Sequence, residues 1–210
     1  MKRNLVGLMM ALLMLTVIGC GGGSDRDLIE VVIPSDAAVD GDIVDSGGVR
    51  TVTLVGRDEV PGVLAGLDPA NGDEYRAFLD FPLGIVPLNA RIQSALLSIV
   101  IRSVTVLPPT GQIPVRIELV SFVPPLVASD FDRSILLPLA TTTIVPPISS
   151  ADVNREINVN VTSLMVEAQL RGLPRFQVRI LEDFGFVSPG LIEIDESSEA
   201  NAPQLIVVYD

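Results

Sequence analysis

Cysteine is nearly missing from this chain: Cys20 is the only one among 210 residues, and histidine and tryptophan do not occur. Each absence excludes some chemistry. A lone thiol rules out an intramolecular disulfide, so apolar burial must hold the fold, which a chain of this size can supply. Without histidine or a second cysteine, the usual zinc and iron donor sets cannot be assembled. Serine and cysteine nucleophiles lose their customary histidine base. Lysine occurs only at Lys2, so a Ser–Lys arrangement is excluded as well, and no Gly-x-Ser-x-Gly elbow is present. Carboxylates remain for acid–base work, as in glycosidases. The pairs Asp130/Asp132 and Glu182/Asp183 are of that type, but 26 acidic residues generate such pairs by chance. The expectation is a non-enzyme, with a carboxylate-based polysaccharide hydrolase or lyase as the rival from another class.

Positive charge is also scarce. The net charge is −12 overall, and it becomes −14 if Lys2 and Arg3 leave with an N-terminal leader. Every other cation is an arginine. A negative field repels phosphate backbones, and no basic patch is interleaved with aromatic residues, so nucleic acid is not an expected partner.

What is present begins with that leader. Met1-Lys2-Arg3 gives a short positive start, and Leu5 to Ile18 is an apolar-to-neutral run. The run is shorter than the roughly 20 residues a spanning helix needs and has the length of a signal h-region. It ends in Val17-Ile18-Gly19-Cys20 without an Ala-x-Ala site, and Gly21-Gly22-Gly23-Ser24 follows. A small residue immediately before cysteine is the layout of a bacterial lipobox, with cleavage before Cys20 and acyl chains on it. The expected partition is residues 1–19 as signal peptide, 20–27 as lipidated cysteine and tether, and 28–210 as one domain. At roughly 5–6 Å times the square root of its length, the tether from Gly21 to Asp27 spans about 15 Å. One acyl chain anchors marginally and two or more anchor stably, so lipid is the expected partner at the membrane. Gly21, rather than aspartate, follows Cys20, and this favours an outer-membrane address in a cell that has one.

From Leu28 onward, short apolar runs are separated by Gly, Pro and Asp. Strands are expected at Leu28–Ile33, Arg50–Val55, Tyr75–Phe81, Ala90–Leu107 and Leu205–Tyr209. Ile113 to Leu119, Ile157 to Val161 and Phe176 to Ile180 alternate apolar and polar residues, as half-buried antiparallel strands do. Pro34 to Gly48 reads as a loop with a short extended piece at Ile43-Val44. Val161, Leu164, Met165 and Ala168 have helical spacing, with Gly172 and Pro174 placed as stops. Paired prolines at 108–109, 124–125 and 146–147 mark loops. The expected class is all-β: an antiparallel, jelly-roll-like β-sandwich with one short helix at an end of the sheets.

Several of these segments resemble the DNRLRE-type β-sandwich domains. Tyr75-Arg76-Ala77-Phe78-Leu79-Asp80-Phe81 resembles that family's R-x-[YF]-L-x-F strand, and the LNARIQSALLSIVI stretch resembles its next step. Asn158-Val159-Asn160-Val161-Thr162-Ser163-Leu164 is similar to its strand entering a short helix. Pro174 to Leu181 and Ala202 to Tyr209 resemble its closing strands. The resemblance implies a jelly-roll module on a secreted or surface protein, with a polysaccharide or envelope protein as partner. Where members carry tryptophan, this chain has Ala128-Ser129-Asp130-Phe131-Asp132-Arg133.

Two site expectations follow. Asp68, Asn71, Asp73 and Glu74 crowd oxygen donors into one turn, as a calcium site requires, though tight turns use the same residues. Asp195–Glu199 and Asp40-Gly41-Asp42 are weaker versions of the same idea. For an acidic polysaccharide, Arg171, Arg175 and Arg179 form the densest basic group, and Arg175 and Arg179 share a strand face. Phe131, Phe184 and Phe186 fall in loops where a ring could face a sugar.

Overall fold

The computed structural model describes residues 27–183 and 189–210; Cys20, the leader, Phe184 and Phe186 lie outside the described residues. The strands are β1 (Ile29–Pro34), β2 (Gly41–Ser46), β3 (Val49–Leu54), β4 (Gly62–Leu67), β5 (Glu74–Pro82), β6 (Ile92–Val106), β7 (Val115–Val120), β8 (Ala140–Thr143), β9 (Arg155–Asn160), β10 (Arg175–Glu182), β11 (Gly190–Asp195) and β12 (Gln204–Tyr209). All pairings are antiparallel, and they form one continuous sheet in the order β1-β12-β6-β11-β4-β5-β10-β7-β8. Off that path, β9 lies on the other edge of β6, and the β2–β3 hairpin lies on the other edge of β5. The sheet curls on itself, so the molecule is an all-β, sandwich-like fold.

Strand β6 carries the curl. Its first half pairs with β12 and its second half with β11 along the same edge. Both parities of Ala95–Ile101 are largely apolar, yet burial still alternates: Ala95, Leu97, Ile99 and Ile101 are fully buried, while Leu96 and Val100 are half-exposed. The buried set meets Leu79 and Phe81 of β5, Phe176, Val178 and Ile180 of β10, Ile117 and Leu119 of β7, and Leu205 and Val207 of β12. Phe81 and Phe176 are register partners with ring centroids 6.2 Å apart. This is the main core, and each of its large side chains contributes about 1.5–3 kcal/mol by leaving water.

The helix expected around Val161–Ala168 is present as Thr162–Leu170, here α2, since a single turn at Val55–Asp58 is α1. Leu164, Met165 and Ala168 face the main core. The Ala95 backbone N–H donates to Thr162 Oγ1 and fixes the helix start against β6. At its end Gly172 takes a left-handed φ of 64°, and Leu173 N–H donates back to the Ala168 carbonyl, the geometry that favours glycine there. No helix among the described residues is long and apolar enough to cross a membrane.

Strands β2 in full, β4, β8 and β11 were not among the expected strands. The cause at β4 is visible in its glycines. A Cβ at Gly62 would sit 2.2 Å from the Ile194 carbonyl oxygen, and one at Gly66 would sit 2.1 Å from that of Gly190. Close approach of β4 to β11 requires these glycines, although in sequence they read as turn residues.

Candidate functional site

The outward faces of β5, β10 and β7 do not meet solvent. A second core lies there: Phe78, Val120, Phe122, Leu126, Phe131 and Leu136, with Ile43 and Leu54 from the β2–β3 hairpin. The segment between β7 and β8 folds back over the sheet, with Ala128–Phe131 forming a 3₁₀ turn, and supplies four of these side chains. The polar residues of this face are therefore enclosed, and three clusters result.

The central cluster is built on Arg179. Phe78, Arg179, Glu118 and Thr141 occupy one row across β5, β10, β7 and β8. Arg179 Nε and Nη2 donate to Glu118 Oε2 at 2.9 and 2.6 Å, and both side chains are 0 % exposed. The remaining donors reach the Asp130 and Leu136 carbonyls at 3.0 and 3.1 Å, and Arg133 brings a second cation to within 2.6 Å of Glu118 Oε1. Burial pulls the Arg179 guanidinium below its ordinary pKa, with Glu118 acting against that shift. A charge this enclosed needs acceptors for its donors, and the covering segment provides two of them, while Arg133 Nε beside it is buried without one.

Phe131 is 4 % exposed, so its ring is not presented to solvent as expected of a loop aromatic. Arg76 stacks on it at 3.8 Å and Arg50 at 4.7 Å from the ring centroid. Arg76 also donates to the Phe131 carbonyl and to Glu74. Its guanidinium thus joins strand β5 to the cover through both charge and ring quadrupole.

Arg175 and Arg179 share a strand face, as expected, but Arg179 is wholly enclosed while the Arg175 side chain, 31 % exposed, lies at the edge of the cover. Arg175 Nε donates to both oxygens of the fully buried Asp80 at 2.6 and 2.8 Å, and Nη2 donates to Asp36 at 2.8 Å. The Asp80 hydrogen bond is the main reason its pKa is raised. Gln177, between the two arginines, donates to Asp80 and accepts from Phe122 N–H. Only Arg171 is exposed, paired with Glu167 one turn earlier at 2.6 Å. The expected arginine platform is not assembled: two of its members hold the fold, and the third stands on the helix.

Of the four residues expected to hold calcium, Asp68, Asn71 and Asp73 bond within their own turn. Asp68 Oδ1 accepts from Ala70 N–H, Asn71 Oδ1 accepts from Asp73 N–H, and Asn71 Nδ2 donates to Asp73 Oδ2. Gly72 has φ +80°, and Glu74 is turned onto Arg76. No three acidic, histidine or cysteine side chains among the described residues converge as a metal site. The rival stretches are also engaged by the protein itself: Asp42 accepts from Leu64 N–H of β4, and Asp195 accepts from Ser197 N–H and Asn201.

One pairing, between two stretches that the sequence offered only as separate calcium candidates, had no signal in the sequence. Asp40, before β2, and Glu196, after β11, are brought together beside Ser35, and one oxygen of each, Asp40 Oδ2 and Glu196 Oε2, is buried without a hydrogen-bond partner. Asp40 is 1 % exposed and accepts from Asp80 N–H at 2.7 Å. Ser35 Oγ donates to Glu196 at 3.4 Å. Burial raises Asp40 well above the ordinary carboxyl range, the neighbouring Glu196 adds to this, and burial pushes Glu196 up to about 7. Burial also pushes Asp42 up to about 6. The other close carboxyl pair divides: Glu182 is buried and accepts from the Leu67 and Gly190 N–H groups, while Asp183 pairs with Arg116 at 2.6 Å. Compared with protein-family models and with curated proteins, the chain gives no match to either.

Two outcomes are expected. Arg179→Ala leaves Glu118 buried with one cation and strands the Asp130 and Leu136 carbonyls, a loss of about 3–5 kcal/mol in urea unfolding. Arg179→Met combined with Glu118→Leu removes both buried charges and is expected to cost less than the single change; a double variant as unstable as the single one contradicts this. The second outcome concerns pH. Asp40, Asp42 and Glu196 have folded pKa values above their unfolded ones, so each favours the fold while protonated and loses that contribution as pH rises. For Asp42, a rise from 3.8 to about 6 makes the ionised form cost about 3 kcal/mol at neutral pH. Urea midpoints are expected to fall from pH 5 to pH 7.5, with a shallower fall in Asp40→Asn, which keeps the Asp80 N–H bond. A midpoint that climbs over this interval contradicts the assignment.

Proposed function

We propose that this chain is an exported lipoprotein, cleaved before Cys20 and acylated there, whose β-sandwich serves as a non-catalytic binding or structural module of the cell envelope. One observation carries the reading: the only thiol in the chain stands where the apolar run Leu5–Ile18 ends, with a small residue before it and a glycine run after it. Strand β1 begins at Ile29, so only a short tether separates the acylated residue from the folded domain. The net charge gives the domain no attraction of its own for anionic headgroups, which leaves the lipid as the source of affinity. With Gly21 after Cys20, the outer membrane is the proposed address in a cell that has one.

A carbohydrate-binding module is the alternative, supported by the resemblance of β5, β6, β9, β10 and β12 to DNRLRE-type strands. Its support is weakened by the burial of Phe131 and Arg179. The hydrolase or lyase reading finds a close carboxyl pair in Asp40–Glu196, but an Asp40 that is almost wholly enclosed offers no approach for a sugar chain.

Cys20→Ser is expected to abolish acylation and to leave the leader attached, so the protein keeps its unprocessed mass and takes up no labelled fatty acid. An unchanged membrane fraction with normal processing contradicts the lipoprotein reading. Retardation on polysaccharide affinity gels would shift the module's role to the carbohydrate alternative.

A further inference from the structure

The chain enters the fold at one end of the sandwich, and that end carries an apolar rim. Ile29 pairs with Tyr209, which pairs with Ile92, and Arg91 and Asp210 exchange backbone hydrogen bonds at 2.9 and 3.1 Å. The start of β1, the end of β12 and the start of β6 therefore lie side by side. Helix α2 docks at the same end, because β9 runs toward the start of β6, where Val161 N–H donates to the Ala95 carbonyl. Gln169 Nε2 then reaches the Pro87 carbonyl at 2.9 Å and ties the last turn of α2 to the loop between β5 and β6.

The apolar side chains exposed here are numerous for one end. Leu88 and Leu170 are each 78 % exposed, and Leu28, Ile29, Ile85 and Val166 stand out of the surface with them. Between α2 and the loop, Leu83, Val86, Met165 and Leu173 line a shallow cavity of about 220 Å³. A second groove, sharing Leu88 and Gln169 with it, runs on to Arg91 and Ile92, beside β12 and one strand away from β1, on which the chain enters. The exposed Arg91 and Arg171 flank the rim. Protruding apolar side chains flanked by arginine suit the headgroup boundary, where alkyl groups enter and guanidiniums stay hydrated.

We propose that this end is a membrane-contact surface that seats on the lipid bilayer holding the anchor. The inference rests on the lipoprotein reading and goes beyond it by giving the domain a fixed orientation. Acyl chains on Cys20 and a tether reach of about 15 Å hold the entry point of the chain close to the bilayer, and the exposed leucines surround that entry point. The lipid supplies attachment, and the rim sets which way the sandwich faces.

The chain has no tryptophan, so a single introduced one reports its surroundings alone. The full-length protein would be extracted from membranes and reconstituted in phosphatidylcholine vesicles as Leu88→Trp or Leu170→Trp. The controls are Val49→Trp, beside the β2–β3 hairpin tip, and Val145→Trp, next to the start of β7; both are exposed and lie at the opposite end. The rim is expected to lie about 5–10 Å into the headgroup boundary, so a nitroxide carried high on the acyl chain roughly halves emission from the rim sites and spares the controls. An acylated protein that floats with the vesicles but shows equal quenching at all four sites overturns the orientation and leaves the anchor standing. A blue-shifted rim emission that lipid nitroxides do not reach assigns the surface to a protein and also overturns it. A protein with no acyl group that fails to float overturns both readings together.

Discussion

The Arg179–Glu118 ion pair is the constraint around which the rest of the structure is arranged. It lies at the centre of the face that β5, β10 and β7 turn away from the main core, with neither side chain reaching water. An isolated charge in that position would cost several kcal/mol. Its burial is tolerable because a second cation reaches Glu118 and because two carbonyls of the covering segment accept from Arg179. The pair therefore determines where Asp130 and Leu136 must lie, and with them the whole excursion between β7 and β8. Hydrophobic contact among Phe78, Phe122 and Phe131 fills this second core, but it is non-directional. The guanidinium gives it register.

The same logic extends along the face. Asp80 is fully enclosed and accepts from Arg175 and Gln177; Gln177 accepts from Phe122 N–H; Arg76 donates to the Phe131 carbonyl and stacks on its ring. In a chain without disulfides, these directional bonds do what a covalent cross-link would do elsewhere, joining the strands to a long irregular segment. The consequence for function is direct. Two of the arginines that sequence spacing makes look like a ligand platform, Arg175 and Arg179, are engaged by carboxylates of the fold, so the strongest remaining functional marks are the cysteine outside the described residues and the apolar end where the chain enters the fold.

Much of the sandwich was legible because a period-two alternation of apolar and polar residues is written into β7, β9 and β10, although both faces of β7 and β10 are buried. The helix was legible from Leu164, Met165 and Ala168 with Gly172 behind them. Strands β4 and β11 were not, since Gly62 and Gly66 carry the signature of a turn while serving a close backbone approach. The site was less legible than the fold. Arg175 and Arg179 were placed on one face correctly, but nothing periodic in Ser121–Leu139 announces that this stretch covers that face. Phe131 was assigned to a loop, which is right, yet a loop packed under two arginines does not offer its ring to solvent. Asp40 and Glu196 are neighbours only because β2 and β11 bring them together across the fold, and no local pattern carries that information.

The proposed lipid anchor places residue 20 at the membrane and the fold from Ile29 onward beside it. If the domain is tethered there, its lack of disulfides, its acidity and its exposed leucines at the entry end form one consistent arrangement, with the lipid holding a rigid sandwich against a bilayer. The most direct measurement is the mass of the N-terminal peptide of protein extracted from membranes of the producing cell. The account predicts a peptide beginning at Cys20 and carrying the added mass of a diacylglyceryl group on the thiol, with or without a further acyl chain on the amine. A peptide beginning at Met1, or an unmodified Cys20 in the mature protein, would contradict it.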